Sequence, residues 1–131
     1  MPPRRRPDPA SGRAALAAWR RAPDATDRPT LATAIRYTLE LLAERAPGNS
    51  VELRVPPFAA VQCVPGPRHT RGTPGSVVET DGDTWLALAT GRLAWQEALV
   101  AGRVRASGER SDLSPWLPVA GDDGRLRTVP S

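Results

Sequence analysis

The sequence predicts one α+β domain in which helices pack against one face of a sheet. The chain has 131 residues, which is the length of about one domain. An amphipathic helix pattern covers residues 29–46, later runs alternate apolar and polar residues, and two short helix patterns separate the last two of these runs. Elements of these two kinds bury their apolar sides against each other in layers.

The first 28 residues are predicted to lie outside this domain. Residues 1–10 contain four prolines and three arginines, a composition that predicts a disordered tail. Residues 11–28 predict a short helix and a linker, with Ser11 as the helix cap and Pro23 as the residue that ends the helix.

Residues 29–46 give the strongest helix pattern. Asp27 precedes it as the predicted cap, and Pro29 stands in the first turn, where its missing N–H costs little. Thr38 shares one face with apolar residues that recur at a spacing of three to four: Leu31, Ala34, Ile35, Leu39, Leu42 and Ala46. This face is expected to dock on an apolar surface.

Four runs of residues predict strands. Residues 51–55 alternate apolar and charged side chains as a half-buried antiparallel strand does, residues 58–64 are more apolar, and residues 76–80 and 103–107 complete the set. A loop rich in proline and glycine, residues 65–74, connects the second strand to the third.

Two short helices are predicted between the third and fourth strands. Residues 81–84 supply an acidic helix start, and Gly91 suits the left-handed position that ends a helix. The second short helix covers residues 93–101. Pro115 and Pro118 then limit residues 111–117 to about one turn, and residues 119–131 predict a polar tail, so the predicted domain covers residues 29–118.

The net charge of +4 and the calculated pI of about 10.8 suggest nucleic-acid binding. Residues 1–28, however, contain seven arginines and three aspartates, and the rest of the chain carries eleven basic and eleven acidic residues. The domain itself is therefore neutral. Nucleic-acid binding through the arginine-rich N-terminus ranks below the hypotheses given next.

The sequence offers few residues for catalysis or for metal binding. It contains one histidine and one cysteine, and it lacks HxxE, CxxC and GxSxG patterns and glycine-rich phosphate loops. We therefore expect a protein that is not an enzyme and that holds no metal or cofactor. Cys63 lies in an apolar run and is expected to be a buried free thiol, which favours the cytosol. Glu79, Asp81 and Asp83 fit a strand end with helix capping better than a metal site.

Two groups of residues are candidates for ligand binding. Arg68, His69 and Arg71 in the long loop could hold a carboxylate or phosphate, although the same composition is typical of a solvated loop. Trp85 and Trp95 lie on the two short helices on either side of Gly91, and the pair suggests the wall of an apolar pocket.

The order of elements from residue 76 onward resembles a known family. The stretch VVETDGDTWLALATGRLAWQEALVAGRVRASG resembles the C-terminal half of the sterol carrier protein domain, in which a D…W/LLALLTG segment precedes a helix, an AGR turn and a strand. VELRVPPFAAVQC and RHTRGTP resemble the compact actinobacterial branch known as the bacterial sterol carrier orthologue. The resemblance covers about residues 29–117, and the arginine- and alanine-rich composition is compatible with an actinobacterial source.

The resemblance implies an antiparallel sheet of about five strands with helices on one face, and an apolar tunnel for lipids or fatty acyl chains. The fifth strand is expected in residues 66–74 or in the C-terminal tail. The residues that the resemblance places on the pocket wall are Val61, Trp85, Leu86, Leu88, Ala89, Leu93, Trp95, Leu99 and Val104. An anionic headgroup would meet Arg68, His69 or Arg71.

The leading hypothesis is a small cytosolic, non-catalytic carrier of a lipid or another apolar ligand, with transient contact at a membrane surface. The alternative is an accessory module of the same fold whose groove receives a protein partner. Pro115 and Pro118 depart from the longer members of the family, in which a C-terminal helix closes the tunnel.

Overall fold

A computed structural model describes residues 6–66 and 75–127. In chain order the described residues form α1 (Pro9–Arg21), α2 (Arg28–Arg45), β1 (Val51–Val55), β2 (Ala59–Cys63), β3 (Ser76–Thr80), α3 (Gly82–Thr90), α4 (Trp95–Val100) and β4 (Val104–Ser107). Single 3₁₀ turns lie at Pro23–Ala25 and Ser114–Trp116. These elements confirm the predicted α+β class.

The sheet is mixed, which corrects the antiparallel sheet that the resemblance implies. Its strand order is β2-β1-β3-β4, and the two outer pairs are antiparallel whereas the central pair, β1 with β3, is parallel. Cys63 at the end of β2 and Ser76 at the start of β3 both lie opposite Val51. Strands β2 and β3 therefore flank β1, and the chain crosses from one side of β1 to the other between them. Parallel and antiparallel strands show the same alternation of apolar and polar residues, so the sequence patterns could not show that β1 and β3 run parallel to each other.

The sheet has four strands within the described residues, not the expected five. Ala120 and Leu126 in the C-terminal segment form one isolated bridge rather than a strand. The other expected location, residues 66–74, lies outside the described residues except for Gly66.

One face of the sheet is buried and the other is exposed to solvent. In β1 the side chains of Val51, Leu53 and Val55 are fully buried, while Arg54 between them is exposed. The same alternation continues on β3, where Val78 is buried. The period-two pattern in the sequence correctly identified the core face, which we call the inner face of the sheet.

Helix α2 begins as predicted. The Asp27 carboxylate accepts a hydrogen bond from the Thr30 N–H at 2.8 Å, so the side chain satisfies one of the free N–H groups of the first turn. Ala34, Ile35, Leu39 and Leu42 have no exposed surface, and Thr38 is buried among them. The apolar face of α2 packs over the sheet and next to α3.

A buried hydrogen bond joins α2 to α3. The Trp85 indole N–H donates to Thr38 Oγ1 at 2.8 Å, and both side chains are completely buried. Thr38 Oγ1 in turn donates to the Ala34 carbonyl at 2.8 Å, one turn back along α2. A close approach of the two helices is possible because a Cβ at Gly82 would stand 2.8 Å from Ile35 Cδ1.

Helix α1 begins at Pro9, and its cap is Asp8 rather than the predicted Ser11. The Asp8 carboxylate accepts from the Ser11 N–H at 3.1 Å, and Pro9 suits the first helical position. Leu16 and Trp19 are buried, and the Trp19 indole N–H donates to Asp83 at the start of α3 at 3.0 Å. The short helix outside the predicted domain is therefore packed on its core.

The described part of the predicted polar tail is also packed. Val119 and Ala120 are buried, and Arg127 N–H donates to the Val119 carbonyl at 2.7 Å. The Tyr37 hydroxyl donates to the Gly124 carbonyl at 2.6 Å. The Tyr37 bond attaches this C-terminal segment to α2.

Substitution of Thr38 by valine tests the buried bond between the helices. Valine keeps the shape of threonine but leaves the Trp85 N–H without an acceptor, and we expect the free energy of unfolding to fall by about 1–3 kcal/mol. Urea denaturation followed by circular dichroism measures this loss.

Thr33→Val is the matched control, because Thr33 Oγ1 donates to the Pro29 carbonyl on the same helix but receives no tryptophan N–H. It should change stability by less than about 0.5 kcal/mol. Equal losses in the two variants would show that the Trp85 contact contributes nothing specific.

Candidate functional site

A cleft of about 310 Å³ lies between α4, β4 and the loop that follows β4. Trp95, Leu99 and Ala106 give it an apolar floor. Its rim is polar and is formed by Gln96, Ser111, Asp112 and Ser114. The combination of an apolar floor and a few polar groups is typical of small-molecule sites.

The cleft opens onto the inner face of the sheet. Ala106 pairs with Val78, which is buried on that face, so the Ala106 methyl group points to the same side. Ala106 itself is exposed, although Val104, two residues earlier on the same face of β4, is buried. The cleft is therefore a gap in the helical layer and gives access to the apolar side of β4.

Two glycines set the length and position of α4. Gly91 ends α3 in the left-handed conformation with φ +82°, and Gly102 follows α4 with φ +71°. Helix α4 is consequently only six residues long. Trp95 and Ala98 attach it to the core, and Leu99 is left half-buried at the cleft.

The loop that forms the polar rim is held to the start of β3. Arg110 N–H donates to Ser76 Oγ at 3.0 Å, and a Cβ at Gly108 would lie 2.6 Å from the Ser76 Cα. Ser111 Oγ donates to the Gly108 carbonyl at 2.9 Å, and the Asp112 carboxylate accepts from the Ser114 N–H at 2.9 Å. The rim is thus preformed by local hydrogen bonds.

The nine predicted pocket residues all belong to the hydrophobic core or pack against it, and two of them, Trp95 and Leu99, also line the cleft. The other seven do not line it: Val61, Trp85, Leu86, Leu88, Ala89, Leu93 and Val104. Trp85 in particular uses its one polar group inside the core, in the bond to Thr38.

The predicted headgroup residues Arg68, His69 and Arg71 lie outside the described residues. Two members of the acidic cluster hold helix α3: Asp81 caps it by accepting from the Thr84 N–H at 2.8 Å, and Asp83 accepts from the Trp19 indole of α1. Within residues 6–66 and 75–127, no group of three or more histidine, cysteine or acidic side chains is placed to hold a metal ion.

Cys63 is the described side chain with the greatest intrinsic nucleophilicity, and it is inaccessible. It lies on β2 with no exposed surface, and burial raises the pKa of its thiol to about 11. A thiol of this kind is almost entirely protonated near neutral pH and reacts slowly.

A family of bacterial SCP orthologs matches residues 27–119, which include α2, the whole sheet, α3, α4 and the residues of the cleft. The chain belongs to this family. The match confirms the resemblance to the bacterial sterol carrier orthologue. The described parts of this family member that lie outside the match are residues 6–26, which include α1, and residues 120–127.

No curated protein sequence is significantly similar to the chain. None of the helices in the described residues is both long enough and apolar enough to cross a membrane.

The sequence analysis missed most of the residues that form the cleft. Gln96, Ser111, Asp112 and Ser114 are polar residues in a helix and in turns, where such residues are common. Ala106 carried a signal that could have been used. It is a small residue at an inward-facing position of an alternating strand, where a larger apolar side chain is usual.

The thiol of Cys63 should be protected from maleimide in the folded protein at pH 8. Its raised pKa alone lowers the thiolate fraction roughly 100-fold relative to an ordinary thiol, and burial slows the reaction further. Labelling followed by mass spectrometry in the presence and absence of urea measures the protection.

The matched control places a cysteine at the exposed Ser107 in a C63A background. This cysteine should react fully without urea. If Cys63 in the native protein reacted as fast as the control, the thiol would be accessible and the description of the core at β2 would be wrong.

Proposed function

We propose that the protein is a small, non-catalytic carrier that binds a lipid or another apolar ligand in the cleft beside α4. The observation that carries this proposal is the exposure of Ala106 on the otherwise buried inner face of the sheet. A soluble fold normally covers such a face, and an apolar ligand would complete the cover.

Family membership supports a carrier role of this type. The bacterial SCP orthologs suggest lipid binding at the level of the family, and the match includes α4, β4 and the whole rim of the cleft. The argument from the family and the argument from the cleft are independent of each other, and both favour an apolar ligand.

The size and polarity of the cleft limit how a ligand would lie in it. A volume of about 310 Å³ is at the lower end of the roughly 300–1,000 Å³ that small-molecule sites occupy. The cleft suits a short acyl chain or one end of a longer chain. The apolar part would lie on Trp95 and Leu99, and a polar end would meet Gln96 and Asp112. The headgroup contact with Arg68, His69 and Arg71 remains a prediction.

Three observations favour binding over catalysis. The Cys63 thiol is buried and protonated. Ser111 donates to a backbone carbonyl and Asp112 accepts from a backbone N–H, so the polar groups at the rim serve the loop itself. Catalysis would need a base bonded to a nucleophile, and no hydrogen bond among the described residues joins the Asp112 carboxylate to the hydroxyl group of Ser111 or Ser114.

Substitution of Ala106 by tryptophan should block the cleft without disturbing the core, because Ala106 is exposed. We expect the affinity for a dansyl-labelled undecanoic acid, followed by its fluorescence, to fall at least about tenfold. Ala10→Trp places the same side chain at an exposed position of α1 and should bind the probe as the wild type does.

Solvent extraction of the purified protein and mass spectrometry identify the natural ligand. Equal probe binding by A106W and the wild type would contradict the location of the site. A stoichiometric protein partner in a pull-down, with no lipid and no probe binding, would favour the alternative of an accessory interaction module.

A further inference from the structure

One charged side chain lines the cleft beside α4, and it is acidic. Among the described residues that line the cleft, only Asp112 is ionisable. The other polar residues of the rim, Gln96, Ser111 and Ser114, are neutral. An amphiphile bound with its chain on the apolar floor would therefore place its polar end beside a carboxylate.

The arginines of the β4 segment do not balance this charge. Arg105 precedes Ala106 in the strand, so its side chain lies on the opposite face of the sheet, where its cross-strand neighbour is Glu79. Arg103 Nε donates to Thr84 Oγ1 at 3.1 Å, which ties this guanidinium to α3. Neither arginine lines the cleft.

Arg110, two residues before Asp112, also extends to another part of the molecule. A Cβ at Gly66 would stand 2.9 Å from Arg110 Nε, so this side chain lies against the segment that follows β2. Within residues 6–66 and 75–127, no salt bridge joins Asp112 to a basic side chain. The negative charge at the rim is thus not neutralised by these residues.

The Asp112 carboxylate is both fixed in position and accessible. Its Oδ1 atom accepts from the Ser114 N–H at 2.9 Å, which holds the side chain against its own loop. Asp112 is exposed, and no other described residue donates a hydrogen bond to its carboxylate. The second oxygen, Oδ2, can therefore accept a hydrogen bond from a ligand at the mouth of the cleft.

We propose that the cleft selects an amphiphile with a cationic polar end, such as a long-chain primary amine, over a fatty acid of similar length. The proposal rests on the proposed function, which places the apolar chain on Trp95 and Leu99. An ammonium group has three N–H donors and no acceptor, and the rim offers it the Asp112 carboxylate and the side-chain carbonyl of Gln96. A fatty acid carboxylate has only acceptors and would meet a like charge there.

The charge of the whole chain acts in the opposite direction. The chain carries a net charge of +4, which attracts anions at long range. A preference for the amine over the fatty acid must therefore come from the local charge at the rim.

Isothermal titration calorimetry of the full-length protein with decylamine, decanol and decanoate tests this preference at ligand concentrations below micelle formation. The alkyl chains are similar, so the ligands differ chiefly in the polar end. Decylamine should bind with a dissociation constant at least about fivefold lower than that of decanoate, because Asp112 attracts the ammonium group and repels the carboxylate. Decanoate should still bind through its chain.

Asp112→Asn removes the charge and keeps a side-chain oxygen that can accept from the Ser114 N–H. It should reduce the preference for decylamine over decanoate to less than about twofold and change the affinity for decanol by less than about twofold. Glu109→Gln is the matched control, because it removes the same charge from an exposed residue that does not line the cleft. This variant should keep the preference of the wild type, and circular dichroism checks the fold of both variants.

Equal or tighter binding of decanoate by the wild type would overturn the proposal and would favour the predicted headgroup contact with residues 68–71. Retention of the preference in Asp112→Asn, or an equal loss of it in Glu109→Gln, would overturn the proposal as well. In each of these cases, decanol binding that is lost in A106W would leave the carrier function standing. Absence of binding by all of these ligands would overturn the carrier function together with the proposed selectivity.

Discussion

The arrangement of this protein depends on the buried hydrogen bond from the Trp85 indole to Thr38 Oγ1. An indole N–H without a partner is costly inside a core, so a fully buried tryptophan requires an acceptor on the facing helix. Thr38 supplies it from the middle of α2, and Gly82 lets α3 approach closely. Trp85 thereby joins the core that buries Leu53 and Val78 on the two central strands, while Ala106 on β4 stays exposed beside the shorter α4. The candidate site lies at the edge of the core as a consequence.

The segments outside the family match stabilise this arrangement. Trp19 of α1 donates to Asp83 at the start of α3, and Arg20 donates to the Gly121 carbonyl at 2.6 Å. Tyr37 holds the same C-terminal segment from α2 through the Gly124 carbonyl. A domain of about 90 residues buries a limited share of its surface, and these segments extend its core. They pack on the helical layer, and none of their residues lines the cleft beside α4.

The sequence predicted local structure better than it predicted the assembly. Alternation in β1 and the apolar stripe of α2 correctly identified the buried faces, because both patterns arise from short-range geometry. The parallel pairing of β1 and β3 is a contact between segments far apart in the sequence, which no local pattern encodes. The packing of α1 was missed because Leu16 and Trp19 alone do not show where a helix docks. Of the residues that line the cleft, the sequence analysis named Trp95 and Leu99 as candidate pocket residues. It did not name Ser111, Asp112 or Ser114, because these residues reach the cleft only through the loop that follows β4.

The central claim is that an apolar ligand binds at the edge of the core beside Trp95 and leaves Trp85 in place. Nitrogen-15 NMR of the four indole N–H groups tests it most directly, with each signal assigned by a Trp→Phe variant and the protein titrated with decanoate. The account predicts that the Trp95 signal shifts with saturation while the Trp85 signal, fixed by its bond to Thr38, stays unchanged. A largest shift at Trp85 would place the ligand in the centre of the core and contradict the account, as would a titration in which no indole signal moves.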